Sequence, residues 1–168
     1  MRHGTGARGL QRGGHSPGSA HMLCERMATA PGAAGVLFVN RAGEVLLRLR
    51  DDKPGLRFAN HWDVIGGAIE PGETERLAAL REVEEEIGLR LETLAPLGSY
   101  PGNVLVVMFV AALDTPLEAI RLMEGQRIQF FTRAAAEQLA LVPWVRTMLQ
   151  DIGQREQAWA LTLRTLRD

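Results

Sequence analysis

The sequence predicts an α/β fold in which a mixed β-sheet lies between helices, and three observations support this prediction. Two apolar, strand-like runs flank a turn at residues 40–43, which is typical of a β-hairpin. Residues 74–87 have a helical period and are followed by Gly88, a residue type that favours the left-handed position after a helix. Residues 103–113 are almost all apolar, as expected for a strand buried within a sheet.

The remaining segments place other elements around these three. A polar loop at residues 51–60 separates the hairpin from segment 61–65, which leads into Gly66 and Gly67. Residues 127–131 are predicted to form another strand, and the chain from Thr132 onward is predicted to be helical, with breaks at Pro143 and Gly153. Strands and helices alternate in an uneven order, which favours a mixed sheet.

Length and composition predict one globular domain behind a flexible leader. The 168 residues are 46% hydrophobic and 23% charged, which is ordinary for a soluble domain. Residues 1–33 are rich in Gly, Ser, Arg and His and show no core period, whereas the domain is expected to occupy residues 34–168. Residues 18–22 resemble a vector-derived remnant before a start at Met22.

Charge and cysteine content exclude several functional classes. The formal net charge of −1 gives no general basic field for nucleic acid or anionic membrane. No apolar run approaches the roughly 18 residues of a membrane span, and no signal peptide is recognised. The single cysteine, Cys24, excludes an internal disulfide and favours a reducing compartment, so a cytoplasmic location is expected.

The predicted helix at 74–87 has an acidic face that is unfavourable unless something binds it. Leu80, Val83 and Ile87 form its core stripe, while three glutamates lie on a different face at spacings of three and four, namely Glu82, Glu85 and Glu86. Each like-charge pair costs roughly 0.2–0.5 kcal/mol, and the helix dipole adds about 0.3–1 kcal/mol near the carboxyl end. A solvated acidic surface is one interpretation. Bound cations explain the cost better, and oxygen ligands favour Mg²⁺, Mn²⁺ or Ca²⁺ over zinc.

The spacing around this helix carries a family resemblance. Gly67 is followed after five residues by Glu73 and after seven more by the run Arg81-Glu82-Val83-Glu84-Glu85-Glu86-Ile87-Gly88-Leu89. These residues match the Nudix box, the signature of the Nudix hydrolases, at all nine of its specified positions. The hairpin, Trp62 before Gly66 and Gly67, and Glu124-Gly125 before an aromatic strand also resemble the family. The resemblance implies a Nudix-type α/β/α sandwich with a mixed β-sheet.

The resemblance also implies a set of site residues. The carboxylates of Glu82, Glu85 and Glu86 would hold Mg²⁺ or Mn²⁺, and the carbonyl of Gly66 would add a ligand. Arg81 would orient the carboxylates, partly through Glu73, while Gly67 and Gly88 support the motif. Glu124, on a separate loop, would complete the metal site or accept a proton from the attacking water. The choice of general base among these glutamates stays open.

Two arginines outside the box are candidate substrate-binding residues. Arg48 and Arg50 alternate with apolar residues on the second strand, so their side chains are expected to share one face. They could contact substrate phosphates, or they could form the solvent-facing side of a half-buried strand. Trp144 raises a similar choice, since it could stack on a nucleobase or belong to the core.

Together these observations predict a metal-dependent hydrolase that cleaves the phosphoanhydride bond of a nucleoside diphosphate linked to another group. A nucleoside triphosphate or related small nucleotide is the expected substrate; neither nucleic acid nor membrane is an expected partner, and a homodimer stays open. One alternative is a Nudix-fold sensor that binds a nucleotide without cleaving it, although such domains usually lose box glutamates. Another is an isopentenyl-diphosphate isomerase, which would need a catalytic cysteine within the domain.

Overall fold

A mixed β-sheet of seven strands forms the middle of the protein in a computed structural model that describes residues 31–155, 162, 164 and 165. The leader up to residue 30, including Cys24, lies outside the described residues. The strands are β1 (Pro31–Val39), β2 (Val45–Leu49), β3 (Trp62–Asp63), β4 (Ile65–Ala68), β5 (Ala95–Pro101), β6 (Leu105–Ala112) and β7 (Arg127–Phe131).

Strand β1 is the centre of this sheet. The strand order is β3-β2-β1-β6-β5, with β4 paired to β1 and β7 paired to β2. β1 runs parallel to β6, and the other paired strands are antiparallel. Because β4 pairs directly with β1, the Gly66-Gly67 pair at its middle is held against the best-buried part of the molecule.

Three α-helices and a single 3₁₀ turn (Leu117–Ala119) complete the described part of the chain, namely α1 (Glu75–Ile87), α2 (Arg133–Ala136) and α3 (Pro143–Gln154). Thr74 caps the start of α1, where its hydroxyl accepts a hydrogen bond from the Leu77 N–H at 3.3 Å. Gly88 ends α1 at φ 66°, and its N–H donates to the carbonyl of Glu84. Both ends of the helix are therefore fixed by local sequence, and the end at Gly88 was predicted.

Two apolar cores lie on opposite faces of the sheet. Along β1, Val36 and Phe38 face α1, while Leu37 and Val39 face the side of α3, as the two-residue period of a strand requires. Val83 and Ile87 of α1 are fully buried in the first core, and Val145 and Leu149 of α3 are fully buried in the second. The layers are helix, sheet and helix.

The predicted hairpin, helix α1 and strand β7 are confirmed, and β6 lies inside the sheet between β1 and β5. β1 begins at Pro31, so residues 31–33, expected in the leader, pair with the sheet instead. The predicted break at Gly153 lies one residue before the observed end of α3 at Gln154. Strand β5 was not predicted; it contains Pro96, Gly98 and Pro101, which are tolerated because it lies at the sheet edge.

Within the described residues, no helix is long and apolar enough to cross a lipid bilayer.

Candidate active site

Helix α1 lies against β4, and this contact brings the box glutamates to the Gly66-Gly67 backbone. The N–H of Gly66 donates to Oε2 of Glu86 at 3.2 Å. A Cβ added to Gly67 would lie 2.5 Å from Oε1 of Glu82. A Cβ added to Gly66, at φ 153°, would lie 2.5 Å from the carbonyl oxygen of Ala34. Glycine at position 67 therefore lets the Glu82 carboxylate approach the backbone closely, and glycine at position 66 lets β4 lie close to β1.

The three glutamates of the predicted acidic face differ in exposure. The side chain of Glu85 is 59% exposed, that of Glu82 is 14% exposed and that of Glu86 is 3% exposed. The expectation that all three occupy one face apart from the core is therefore wrong for Glu86, which lies between α1 and the sheet beside Val83 and Ile87. Its carboxylate is tolerated there because hydrogen-bond donors from β4 and β2 reach it.

Arg81 joins three of the box glutamates into one network. Its Nε donates to Glu73 Oε1 at 2.8 Å, and its Nη1 donates to Glu82 Oε1 and Glu85 Oε2, each at 2.9 Å. Its Nη2 donates to the carbonyl of Ala68 at 2.9 Å. The hydrogen bond to Glu73 is the main cause that raises the pKa of Arg81 and lowers the pKa of Glu73. Arg81 thus fixes the positions of Glu82 and Glu85 relative to β4.

Arg48 connects Glu86 to Glu124. Its Nη1 donates to Oε1 of Glu86 and lies 3.3 Å from Oε1 of Glu124, so residues from α1 and from the loop before β7 meet at one nitrogen. The solvent-facing interpretation of Arg48 is wrong, since the residue is 2% exposed. Gln126 continues the loop, and its N–H donates to the carbonyl of Leu49 at 2.8 Å.

A cavity of about 560 Å³ adjoins this cluster and shares Gly66 and Gly67 with it. Phe58 and the half-buried Trp144 line the cavity, and Trp144 also packs against the α3-side core. Arg50 lines it too and donates through Nη1 to Oδ2 of Asp63 at 3.0 Å. Burial raises the pKa of Asp63, and Arg50 opposes that rise. The cavity therefore combines aromatic walls with an arginine–aspartate pair of which Asp63 is the buried member.

Known proteins resemble this chain in sequence. The model of the NUDIX domain matches residues 29–152 of the chain. This chain belongs to the Nudix family. An uncharacterized Nudix hydrolase from Pseudomonas aeruginosa is 32% identical over 123 residues, which cover 68% of this chain and 71% of that protein. An RNA pyrophosphohydrolase from Erythrobacter litoralis is 45% identical over 56 residues, covering 33% of this chain and 32% of that protein. The match thus spans about a third of that relative's length.

Solved Nudix structures have the same fold. A mutT/nudix family protein from Listeria innocua superposes with a TM-score of 0.63 at 23% identity, covering 79% of this chain and 98% of that one. An Ap4A hydrolase from C. elegans superposes with a TM-score of 0.60 at 26% identity, covering 75% and 98% of the two chains. The family and the α/β/α fold predicted from the Nudix box are confirmed.

The Nudix box residues offer a donor set that suits a hard divalent cation. All the side-chain atoms that could bind a metal here are carboxylate oxygens. Glu82 and Glu86 both reach the backbone of the Gly66-Gly67 pair. Within residues 31–155, 162, 164 and 165, no three acidic, His or Cys side chains are already gathered as a complete ligand set. Arg81 and Arg48 instead hold the carboxylates in place. The chemistry of these residues fits a divalent metal ion that prefers oxygen ligands.

The Nudix box cluster also changes how Glu86 titrates. Burial raises the pKa of Glu86 to about 8, with Glu124 and Glu82 adding to the rise and Arg48 opposing it. In the absence of metal, the folded protein therefore binds this proton more tightly than the unfolded chain does. The resulting stabilisation is fully present at acidic pH below the ordinary glutamate pKa and is lost as pH rises through about 8.

We therefore expect the melting temperature of the metal-free Nudix domain to fall between about pH 5 and about pH 8 by more than that of the Glu86→Gln variant. The measurement is thermal unfolding in chelator across this range. Parallel pH profiles for the two proteins would contradict the assignment of this proton to Glu86.

Several features of the Nudix domain near the site were not recognised in the sequence. Asp63 could have been found, because an acid within the apolar segment 61–65 beside Gly66 is unusual. Phe58 has left-handed backbone geometry at φ 55°, as does Asn60 at φ 58°, which is uncommon for residues other than glycine. The side-chain amide of Gln126 supports their loop by donating to Asn60 Oδ1 at 2.6 Å. Such long-range support leaves no local pattern.

Proposed function

We propose that this Nudix domain is a metal-dependent pyrophosphohydrolase that cleaves a phosphoanhydride bond of nucleoside triphosphates or related small nucleotides. The observation that carries the proposal is the position of the cavity. It shares the Gly66-Gly67 backbone with the carboxylate cluster. A nucleotide held in the cavity would thereby present its phosphates at the glutamates.

The cavity residues would bind the nucleoside part of the substrate. Phe58 and Trp144 supply apolar ring surfaces, on which a planar base can stack. The paired side chains of Arg50 and Asp63 supply a donor and an acceptor beside those rings. As an alternative, Arg50 contacts the phosphates, as its cationic group and its place at the cavity allow.

The box residues would hold and align the phosphates. Glu82, Glu85 and Glu86, with the carbonyl of Gly66, would hold Mg²⁺ or Mn²⁺, and Arg81 would keep Glu82 and Glu85 in position. When bound, the metal neutralises phosphate charge and lowers the pKa of the attacking water. Glu124 remains 63% exposed, so it can complete the ligand set or accept the proton of that water.

The relatives support this reaction class. In addition to the RNA pyrophosphohydrolase, a CTP pyrophosphohydrolase from Escherichia coli is 37% identical over 65 residues, covering 37% of this chain and 42% of that protein. Both names describe attack on the phosphate chain of a nucleotide. The two differ in substrate, so the substrate is left to experiment.

The test is product release from a panel of nucleoside triphosphates, 8-oxo-dGTP, nucleotide sugars, ADP-ribose and dinucleoside polyphosphates. We expect hydrolysis of at least one triphosphate with Mg²⁺ or Mn²⁺, complete loss in EDTA, and recovery when the cation is restored, because the carboxylates alone leave the phosphate charge unneutralised. The identity of each product shows which anhydride bond breaks.

Two outcomes would contradict the proposal. Full turnover in chelator would exclude a role for the metal. Tight nucleotide binding without product from any member of the panel would favour the sensor function instead.

A further inference from the structure

Arg48 is a buried cation at the junction of three elements. It lies on β2, its register partners are Asp63 on β3 and Ile128 on β7, and only 2% of it is exposed. Removing a guanidinium from water costs several kcal/mol unless charged partners and hydrogen bonds compensate. An apolar side chain would fill this position at less cost. Charged partners therefore have to compensate for the burial of Arg48.

Those partners come from two different elements. One nitrogen, Nη1, contacts the carboxylate of Glu86 on α1 and lies 3.3 Å from that of Glu124 on the loop before β7. Glu86 and Glu124 therefore share one guanidinium nitrogen of Arg48. Glu86 is buried, whereas the side chain of Glu124 is 63% exposed. Arg48 thus joins a fixed carboxylate to a solvent-accessible one.

The loop that carries Glu124 also rests directly on Arg48. Gly125 has φ 90°, and a Cβ there would lie 2.9 Å from both Cγ and Cδ of Arg48 and 2.8 Å from the carbonyl oxygen of Leu49. Two backbone hydrogen bonds of 2.8 Å fix the loop on either side, from Met123 N–H to the Glu86 carbonyl and from Gln126 N–H to the Leu49 carbonyl. The close approach depends on the absence of a side chain at Gly125.

We propose that Arg48 is a positioning residue, whose buried guanidinium holds the Glu124 loop against α1 before any cation or substrate binds. Glu124 is thereby placed beside Glu86 in the resting protein, with most of its side chain exposed. The consequence for turnover rests on the proposed hydrolysis, whereas the consequence for the loop does not. Arg48 acts through Glu124 and need not contact substrate.

The first experiment measures hydrogen exchange in the metal-free protein for the Arg48→Met and Arg48→Lys variants. We expect the amides of Met123 and Gln126 to exchange about 10- to 100-fold faster in Arg48→Met, the usual worth of a charge-assisted contact. β1 and β6 should stay protected. Lysine should restore part of the protection, since its ammonium can also lie between two carboxylates.

A second variant covers the case in which Arg48→Met fails to fold. Gly125→Ala keeps Arg48 in place but forces the loop away from it, so it should produce the same local increase in exchange. Gly43→Ala is the matched control, because Gly43 has φ 80° in the β1–β2 turn and an added Cβ meets nothing within 4 Å there. It imposes a similar backbone strain away from the site.

Turnover supplies an independent readout once a substrate is known. Arg48→Met and Gly125→Ala should lower kcat by about 10- to 100-fold with little change in KM. When either change is combined with Glu124→Gln, kcat should fall little further than in Glu124→Gln alone, because both substitutions remove the contact between Arg48 and Glu124.

The exchange data decide the proposal even if no substrate is hydrolysed. Unchanged exchange at Met123 and Gln126 in a folded Arg48→Met variant would overturn it. An equal increase in exchange across β1 and β6 in Arg48→Met would also overturn the proposal, provided that Gly125→Ala exchanges no faster at Met123 and Gln126 than Gly43→Ala does.

Discussion

Replacing Glu86 by glutamine is expected to lower turnover by about 10²–10³-fold, the usual worth of one preorganised electrostatic contact to a reacting group. The amide keeps the shape of the side chain and can still accept the hydrogen bond from Gly66, but it cannot carry the negative charge that a divalent cation needs. The measurement is kcat with saturating Mg²⁺, together with Mn²⁺ affinity.

Stability should respond differently from turnover. Burial raises the pKa of Glu86 and so favours its protonated form in the metal-free protein, and the neutral amide of glutamine copies that form. We therefore expect little change in melting temperature near pH 7 in chelator. A variant that melts much earlier yet keeps its activity would show that the carboxylate is structural.

Glu84→Gln is the matched control for this substitution. Glu84 lies on the same helix, its side chain is 51% exposed, and it pairs with Arg90 away from β4. Its replacement should leave kcat and Mn²⁺ affinity unchanged. Loss of turnover in this control would mean that the charge of the whole helix, rather than the position of Glu86, controls the reaction.

Replacing Glu124 by glutamine should lower kcat by about 10²–10⁴-fold if this residue is the general base, with a smaller effect on KM. Its carboxylate reaches the same nitrogen of Arg48 as Glu86 does, yet it comes from the loop before β7 and not from α1. Such a position allows it to approach a water molecule that the α1 glutamates orient. The measurement is kcat and KM over a range of pH with saturating metal.

Glu118→Gln serves as the control, because Glu118 is an exposed acid in the 3₁₀ turn of the same region. The Glu118→Gln variant should have the same kcat as the protein without substitutions. Normal kcat in Glu124→Gln would remove this residue from the mechanism and leave Glu82, which lies against Gly67, as the preferred base.

The fold was predictable where local sequence controls conformation. Thr74 and Gly88 define the ends of α1 through capping interactions that need no tertiary partner. The apolar run of β6 likewise indicated a strand inside the sheet, from residue type alone. β5 was not predictable, because Pro96 and Gly98 argue against a strand unless it lies at a sheet edge, and edge position is a property of the assembled sheet.

Arg48 is the clearest case in which the sequence allowed an interpretation that the structure excludes. Alternation along β2 suggested a solvent-facing side for this residue. The actual face is covered by α1 and by the loop of Glu124, two segments distant in sequence. Alternation tells which residues share a face of a strand, but not what covers that face.

The sequence by itself determined the family, the helix that carries the box, and the identity of the acidic residues, because these depend on residue type and short spacing. Only the tertiary structure decided that Glu86 is buried while Glu85 is exposed, that Arg48 joins Glu86 to Glu124, and that a cavity shares Gly66 and Gly67 with them. Burial and ionic pairing depend on which distant segments pack together, and that packing reflects the free energy of the whole core rather than any local pattern.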